Sequence, residues 1–173
     1  MNKDEIDLLD KILSSTNNWL KFAESKNGAI IAVICTVMFG VSKIIIDSDK
    51  IPNVLLAYLV EFFAFSFLSL VISLSSFIPK LKKPFWFTLE EKSNTDNPFY
   101  FADVCKYDSY SYLELLGIIH DDDDKIVKYM AEQVVINSRI AALKFNLFET
   151  SIWLFLAALL TPFLVLVILF FKD

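Results

Sequence analysis

The chain has 173 residues, of which 55% are hydrophobic and 15% aromatic, including seventeen phenylalanines. Soluble domains are usually about 45–50% apolar, and here the excess is concentrated in separate blocks. The formal net charge of −5 provides no basic field for a nucleic acid polymer, so no such partner is expected. Composition therefore favours an integral membrane protein, with the lipid bilayer as its first partner.

Three apolar blocks, at 29–46, 54–78 and 151–171, approach or exceed the length of a membrane-spanning helix. About 20 residues at 1.5 Å rise cross ~30 Å of hydrocarbon. A polar segment separates the second block from the third. The sequence predicts an all-α integral membrane protein with three transmembrane helices, an N-terminal amphipathic helix and a mainly helical cytosolic insert, for which short strands are an open alternative.

These blocks divide the chain into four segments. We predict an N-terminal amphipathic cytosolic helix at 1–27, a two-helix transmembrane hairpin at 28–78, a cytosolic sensor or coupling segment at 79–150 and a third transmembrane helix at 151–173.

The distribution of basic residues predicts the orientation in the membrane. Thirteen of the sixteen Lys and Arg residues precede the first block or lie in the insert. Because cytoplasmic flanks carry the excess of Lys and Arg, we expect the N-terminus and the insert inside and the C-terminus outside. Cys35 lies in an apolar block and Cys105 in the insert, so no disulfide is expected.

Helical periodicity at 3–26 predicts an amphipathic helix. It either continues unbroken into the first span, since no proline intervenes, or lies on the membrane surface. In the insert, Pro84 and Pro98 exclude a long helix, a short helix is predicted at 110–116, and the aromatic triplets Phe85–Phe87 and Phe99–Phe101 are the candidate short strands. An amphipathic helix at 126–150 leads into the third span, in which Pro162 predicts a kink.

Polar side chains within the spans have two interpretations each. A serine stripe in the second span indicates either helix packing or a pore-lining, gating face: Ser66, Ser69, Ser73 and Ser76. Glu61 is the single acid inside an apolar block. Because a buried carboxylate is costly in lipid, it is either neutral or paired, with Lys43 as a candidate partner, or it lines an aqueous path.

No catalytic set can be assembled, so the chain is not expected to be an enzyme. His120 is the only histidine and no Ser or Cys motif surrounds it. The acidic run Asp121–Asp124 is interpreted as the solvated start of the next helix, because four consecutive carboxylates cannot all face one ion. Neither a metal nor a cofactor is expected.

Three stretches resemble a known family. They are Trp19–Lys26 (Trp-Leu-Lys-Phe-Ala-Glu-Ser-Lys), Asn97–Val104 (Asn-Pro-Phe-Tyr-Phe-Ala-Asp-Val) and the helix Gln133–Phe145. In order and spacing they are similar to the transmembrane effectors of bacterial Pycsar antiphage systems, which pair with nucleotide cyclases. The chain departs from the family pattern in having Glu24 for Asp, Ala102 for Gly and Phe145 for Tyr.

The resemblance implies a membrane effector that is activated by a cyclic nucleotide second messenger, cyclic CMP or cyclic UMP, and that impairs the bacterial inner membrane. Phosphate would meet Lys or Arg, a base would stack on aromatic rings, and amides would bind its polar edge. The residues concerned are Lys26, Asn97, Tyr100, Phe101, Gln133, Arg139 and Lys144. The alternative is that Lys26 and Lys144 mark helix–membrane borders and that Glu24 pairs with one of them.

Three helices in one protomer are too few to enclose a sizeable pore, so we expect a homo-oligomer. Two other functions remain open from the sequence. One is a membrane anchor or regulatory subunit that binds a cytosolic partner protein, and the other is a small constitutive channel.

Overall fold

The computed structural model describes residues 3–48, 50–78, 87–118 and 125–172, with the backbone alone for 162–172. Within these ranges the chain forms helices and no strand: α1 (Lys3–Ile46), α2 (Asn53–Ser75), α3 (Phe101–Val104), α4 (Ser109–Leu115) and α5 (Lys125–Lys172). The all-α prediction is confirmed. The strand alternative is wrong for Phe99–Phe101, where a turn leads into α3, because Asn97 closes that turn through its own side chain.

The chain divides into two compact units. We call Met1–Glu24 together with Pro79–Phe145 the polar unit, and Ser25–Ile78 together with Asn146–Asp173 the apolar unit. Helices α1 and α5 each contribute to both units.

Helix α1 is a single uninterrupted helix from Lys3 to Ile46. Of the two alternatives for the N-terminal segment, the continuous helix is the one observed. No proline interrupts it, the acids Asp4 and Glu5 lie in its first turn, and Lys43 lies in its last turn. These charges oppose the helix dipole at both ends.

The core of the polar unit is formed by α1, α4 and α5. Its buried apolar residues come from each of these helices and from the segments around α3: Leu9, Ile12, Val104, Tyr107, Tyr112, Leu113, Ile118, Val127, Ala131, Val134 and Val135. Tyr112 is fully buried, and its hydroxyl donates to the Pro98 carbonyl at 3.0 Å. Along α5, the core residues recur at helical spacing, as the sequence predicts for the amphipathic helix at 126–150. They are Val127, Ala131, Val134 and Val135.

Short-range signals fix both ends of α4. Asp108 and Ser111 form a capping box at its start. At its end Gly117 has a φ of +70°, a conformation that costs glycine little. The Ile118 amide donates to the Leu113 carbonyl at 3.0 Å and the Gly117 amide to the Glu114 carbonyl at 2.9 Å, as in a Schellman motif. The short helix predicted at 110–116 is confirmed.

The apolar unit has a small internal core of Ile30, Ile34 and Phe155. Many large apolar side chains instead face outwards, among them Phe39 (75% exposed) and Ile46 (80% exposed). A water-soluble surface rarely carries so much contiguous apolar area. Within the described ranges, three helices have the length and composition to cross a membrane: Lys3–Ile46, Asn53–Ser75 and the Lys125–Thr161 part of α5.

Some predictions fall on residues that the structure does not describe. Pro84, Phe85, Trp86, His120 and the acidic run Asp121–Asp124 lie outside the described residues. The orientation of the termini and the four-segment division stay predictions. The helix continues past Pro162, and the kink there also stays a prediction.

Replacing Ile12, which is 4% exposed, by alanine should destabilise the polar unit by about 2–5 kcal/mol, because it removes buried methyl groups and leaves a cavity. Ile126→Ala is the matched control: Ile126 is 50% exposed, and surface substitutions usually change stability by less than about 0.5 kcal/mol. The measurement is the urea dependence of thiol labelling at buried Cys105, in a Cys35→Ala background because Cys35 is exposed. Equal shifts for the two variants would contradict the assigned core.

Candidate functional site

Five aromatic rings from α1, α3 and α5 meet in the polar unit. Phe101 stacks on Phe145 with centroids 5.1 Å apart and lies 5.4 Å from Trp19. Tyr100 meets Trp19 edge-on at 6.4 Å, and Phe22 packs on Phe145 at 6.2 Å. Phe101 is only 6% exposed, whereas Tyr100 is 42% exposed. Of the two rings predicted to stack on a base, Phe101 is thus a core ring here and Tyr100 is accessible.

An ion pair joins α1 to α5 inside the polar unit. The Lys144 ammonium lies 2.7 Å from Glu24 Oε1, and the Lys144 side chain is 13% exposed. The pairing that the sequence offered as the alternative role of Lys144 is therefore present. Lys26, the other predicted phosphate ligand near this point of the chain, belongs to the apolar unit, where its ammonium lies 5.2 Å from the centroid of Phe148.

Arg139 ties α5 to the segment between α3 and α4. Its Nε donates to the Cys105 carbonyl at 3.0 Å, and a terminal nitrogen donates to the Tyr107 carbonyl at 2.5 Å. The planar fork that the sequence assigned to a phosphate is directed at backbone oxygens in this arrangement.

Asn97 and Gln133 are the two amide side chains predicted to bind the polar edge of a base, and each has a hydrogen-bond partner within the protein. Asn97 is exposed and its Oδ1 accepts from the Phe99 amide at 2.9 Å. Gln133 is exposed and donates to Asn137 Oδ1 at 2.9 Å, and Asn137 in turn donates to Asn17 of α1 at 2.8 Å. The structure brings Asn97 and Tyr100 into one turn. The binding roles of all seven residues stay predictions.

A compact ionic network, which the sequence did not indicate, surrounds Lys106. Its ammonium lies 2.9 Å from both Asp96 Oδ1 and Asp103 Oδ1. Asp96 also accepts from the Ser93 amide at 2.9 Å and from the Tyr107 hydroxyl at 3.0 Å. The Ser93 amide and then Lys106 lower the pKa of Asp96 to about 2, and the two carboxylates hold the pKa of Lys106 above its usual range. This network fixes the loop that precedes α3.

Beside this network lies an open cleft of about 410 Å³, which we call the Lys92 cleft. The Lys92 ammonium donates to Ser111 Oγ at 3.0 Å, lies 3.4 Å from Asp108 Oδ2, and sits 5.0 Å from the centre of the Tyr107 ring. The cleft is lined by Lys92, Ser93, Asn94, Tyr107, Ser111, Glu114 and Leu115. Sequence reasoning missed it, because these residues follow no motif and are assembled only by the fold.

The serine stripe faces the interior of the apolar unit. Ser69 donates to the Ser151 carbonyl at 2.6 Å, and Ser151 donates back to the Ser69 carbonyl at 3.0 Å. Ser73 donates towards buried Asn27, 3.1 Å from its Oδ1. The hydroxyls of Ser66 and Ser76 are buried and have no partner among the described residues. The stripe therefore provides contacts between helices in this arrangement, and a pore-lining role stays a prediction.

Glu61 is the acid that lies inside the second apolar block. Glu61 is half-buried, and the part of the chain that the structure describes shows no ion pair between it and Lys43.

Cys105 is buried, and burial raises the pKa of its thiol to about 11. A thiol in this state is a poor nucleophile at neutral pH. No group of three or more metal-ligating side chains occurs within the described ranges.

Asp96→Asn should destabilise the polar unit at neutral pH and flatten its response to acid. The folded pKa of Asp96 is about 2 against its usual 3.8. The carboxylate therefore stabilises the fold fully above pH 3.8, and this contribution is lost as the pH falls towards 2. Urea unfolding followed by Trp19 fluorescence, in a Trp86→Phe, Trp153→Phe background, measures the effect between pH 7 and pH 2. Asp10→Asn, at an exposed position of α1, is the control, and an acid response of Asp96→Asn identical to that of the parent would contradict the assignment.

Comparison with known families finds a match that covers almost the whole chain. Residues 8–171 match the Pycsar effector protein domain. Comparisons with curated proteins and with solved structures gave no match. The match includes all three stretches on which the resemblance rested, together with the three helices that have the length and composition to span a membrane. The chain belongs to the Pycsar effector family, the membrane effectors of cyclic-nucleotide antiphage defence.

Proposed function

We propose that this protein is a messenger-gated membrane effector: a cyclic pyrimidine nucleotide, cyclic CMP or cyclic UMP, binds the polar unit, and the apolar unit then impairs the bacterial inner membrane. The single observation that carries the proposal is the family match over residues 8–171. In this proposal the polar unit lies in the cytoplasm, as the distribution of Lys and Arg predicts.

Continuous helices supply the connection between sensing and action. Both α1 and α5 have one stretch in the polar unit and another in the apolar unit. A messenger acts only if it binds one arrangement of the protein more tightly than another. Contacts between α1 and α5 in the polar unit, such as Lys144 with Glu24 and Asn137 with Asn17, are the ones that a ligand would have to favour or disfavour.

The serine stripe supports a second arrangement of the apolar unit. Ser69 and Ser73 are hydrogen-bonded, whereas Ser66 and Ser76 are buried without a partner among the described residues. A buried unsatisfied hydroxyl costs about 1–3 kcal/mol. A movement of α2 that exposed these two hydroxyls to water would reduce that cost. We call the contact of α2 with α5 at Ser69 and Ser151 the seam. We propose that activation opens this seam and that several protomers together form the membrane lesion.

Purified protein in liposomes should release a trapped dye when cyclic CMP or cyclic UMP is added and should release little without them. The physical reason is that the ligand shifts the population towards the open arrangement. Non-cyclic CMP and UMP are the controls. Equal leakage with and without nucleotide would indicate a constitutive channel instead, and no leakage under any condition, with co-purification of a cytosolic protein, would indicate an anchor.

A disulfide across the seam should block activation. Ser69 and Ser151 have hydroxyl oxygens 2.9 Å apart, so a Ser69→Cys, Ser151→Cys variant lacking Cys35 and Cys105 is placed to form one. We expect oxidation to lower nucleotide-induced leakage about tenfold or more, because the closed arrangement is then fixed, and reduction to restore it. The two single-cysteine variants are the controls. Full leakage from the oxidised, cross-linked protein would mean that α2 and α5 need not separate.

A further inference from the structure

We propose that the Lys92 cleft is the messenger site, that Lys92 holds the phosphate, and that Glu114 selects a base carrying an exocyclic amino group, which among the pyrimidines is cytosine. This inference rests on the proposed function and deepens it. It places the ligand on residues that do not belong to the three stretches resembling the family.

The cleft has suitable size and accessibility for a nucleotide. Its volume of about 410 Å³ falls in the range of about 300–1,000 Å³ typical of small-molecule sites. All its lining residues lie within one unit, in the loop at 92–94, at Tyr107 and on α4. Tyr107 supplies a mostly buried aromatic ring, 7% exposed, next to the polar groups.

Lys92 is a cation that can accept an anion at little cost. Its side chain is 47% exposed, and its contact with Asp108 is long, at 3.4 Å. Asp108 does not depend on Lys92, because it also accepts from the amides of Tyr110 and Ser111 at 3.1 Å and from the Ser111 hydroxyl at 2.6 Å. A phosphate at Lys92 therefore leaves no buried group without a partner.

Two other side chains of the cleft retain unused hydrogen-bonding capacity. Within the described part of the chain, neither the amide of Asn94 nor the carboxylate of Glu114 has a side-chain partner, and both residues are exposed. An ionised carboxylate only accepts hydrogen bonds. It therefore favours the amino group of cytosine and disfavours the carbonyl oxygen that uracil carries at the same ring position. Adenine also carries an amino group and is the comparison that tests base size.

The floor of the cleft is connected to α5. The Tyr107 carbonyl accepts from Arg139 of α5 at 2.5 Å, and the Tyr107 hydroxyl donates to Asp96 at 3.0 Å. A ligand that contacts Tyr107 thereby acts on a residue held directly by one of the two long helices.

The test is equilibrium dialysis of the full-length protein in detergent with labelled cyclic CMP, cyclic UMP and cyclic AMP. Cyclic CMP should bind about tenfold tighter than cyclic UMP. Lys92→Ala should weaken both about tenfold through loss of a charge-assisted hydrogen bond. Glu114→Gln should bring the two pyrimidine nucleotides within about threefold, because an amide both donates and accepts. Lys125→Ala and Glu132→Gln, at exposed positions of α5, are the matched controls and should bind as the parent does.

The outcomes separate the site from the function. If the parent binds a nucleotide and neither Lys92→Ala nor Glu114→Gln changes its affinity, the Lys92 cleft is not the binding site, but the proposed function stands. Loss of binding in Tyr100→Ala would then place the site at the predicted residues instead. Absence of binding and of leakage with all three nucleotides overturns the proposed function and the cleft with it. Tighter binding of cyclic UMP than cyclic CMP overturns the role of Glu114. Circular dichroism verifies folding, and Glu114→Gln, an isosteric change at an exposed position, keeps the test valid if Lys92→Ala fails to fold.

Discussion

The organisation of this protein depends on the uninterrupted backbone hydrogen bonding of α1 and α5. In hydrocarbon every amide and carbonyl must be paired within the protein, which restricts a spanning segment of this kind to continuous helix. No proline or turn ends either helix where its apolar stretch begins. The same two helices therefore supply long stretches of the polar unit, and its other helices among the described residues are the short α3 and α4. At α1 and α5 the two units are therefore joined by continuous helix.

Polar contacts hold the helices together differently in the two units. The polar unit uses a partly exposed ion pair, Lys144 with Glu24, and an amide pair between Asn137 and Asn17. It also uses the aromatic cluster in which Phe101 stacks on Phe145. The apolar unit uses small hydroxyls, with Ser69 and Ser151 exchanging hydrogen bonds. Hydrogen bonds between polar side chains of neighbouring membrane helices contribute only about 0.6 kcal/mol on average. Such contacts position helices without locking them, as the rearrangement that we propose for the apolar unit requires.

The sequence predicted the helices well because their signals are local and periodic. Apolar blocks of spanning length, the 3.6-residue pattern at 126–150 and the absence of a breaker before residue 46 gave α1, α2 and α5. The strand alternative at 99–101 was wrong. Aromatic residues favour strands, but the Asn97 side chain closes a turn there. Hydrogen bonds in the Lys92 cleft and the Lys106 network join residues up to nineteen positions apart. No periodicity encodes that assembly, so the candidate site was beyond sequence reasoning.

The cost of displacing existing partners distinguishes the three candidate positions for a phosphate, which are Lys144, Arg139 and Lys92. A phosphate at Lys144 competes with the 2.7 Å ion pair to Glu24, and if it displaced that carboxylate it would leave a partly buried charge without its cation. At Arg139 it would have to replace two backbone carbonyls, those of Cys105 and Tyr107, which then need new donors. At Lys92 the neighbouring Asp108 keeps three other hydrogen bonds. Of the three positions, Lys92 is therefore the one at which our proposed phosphate contact would displace the fewest existing hydrogen bonds.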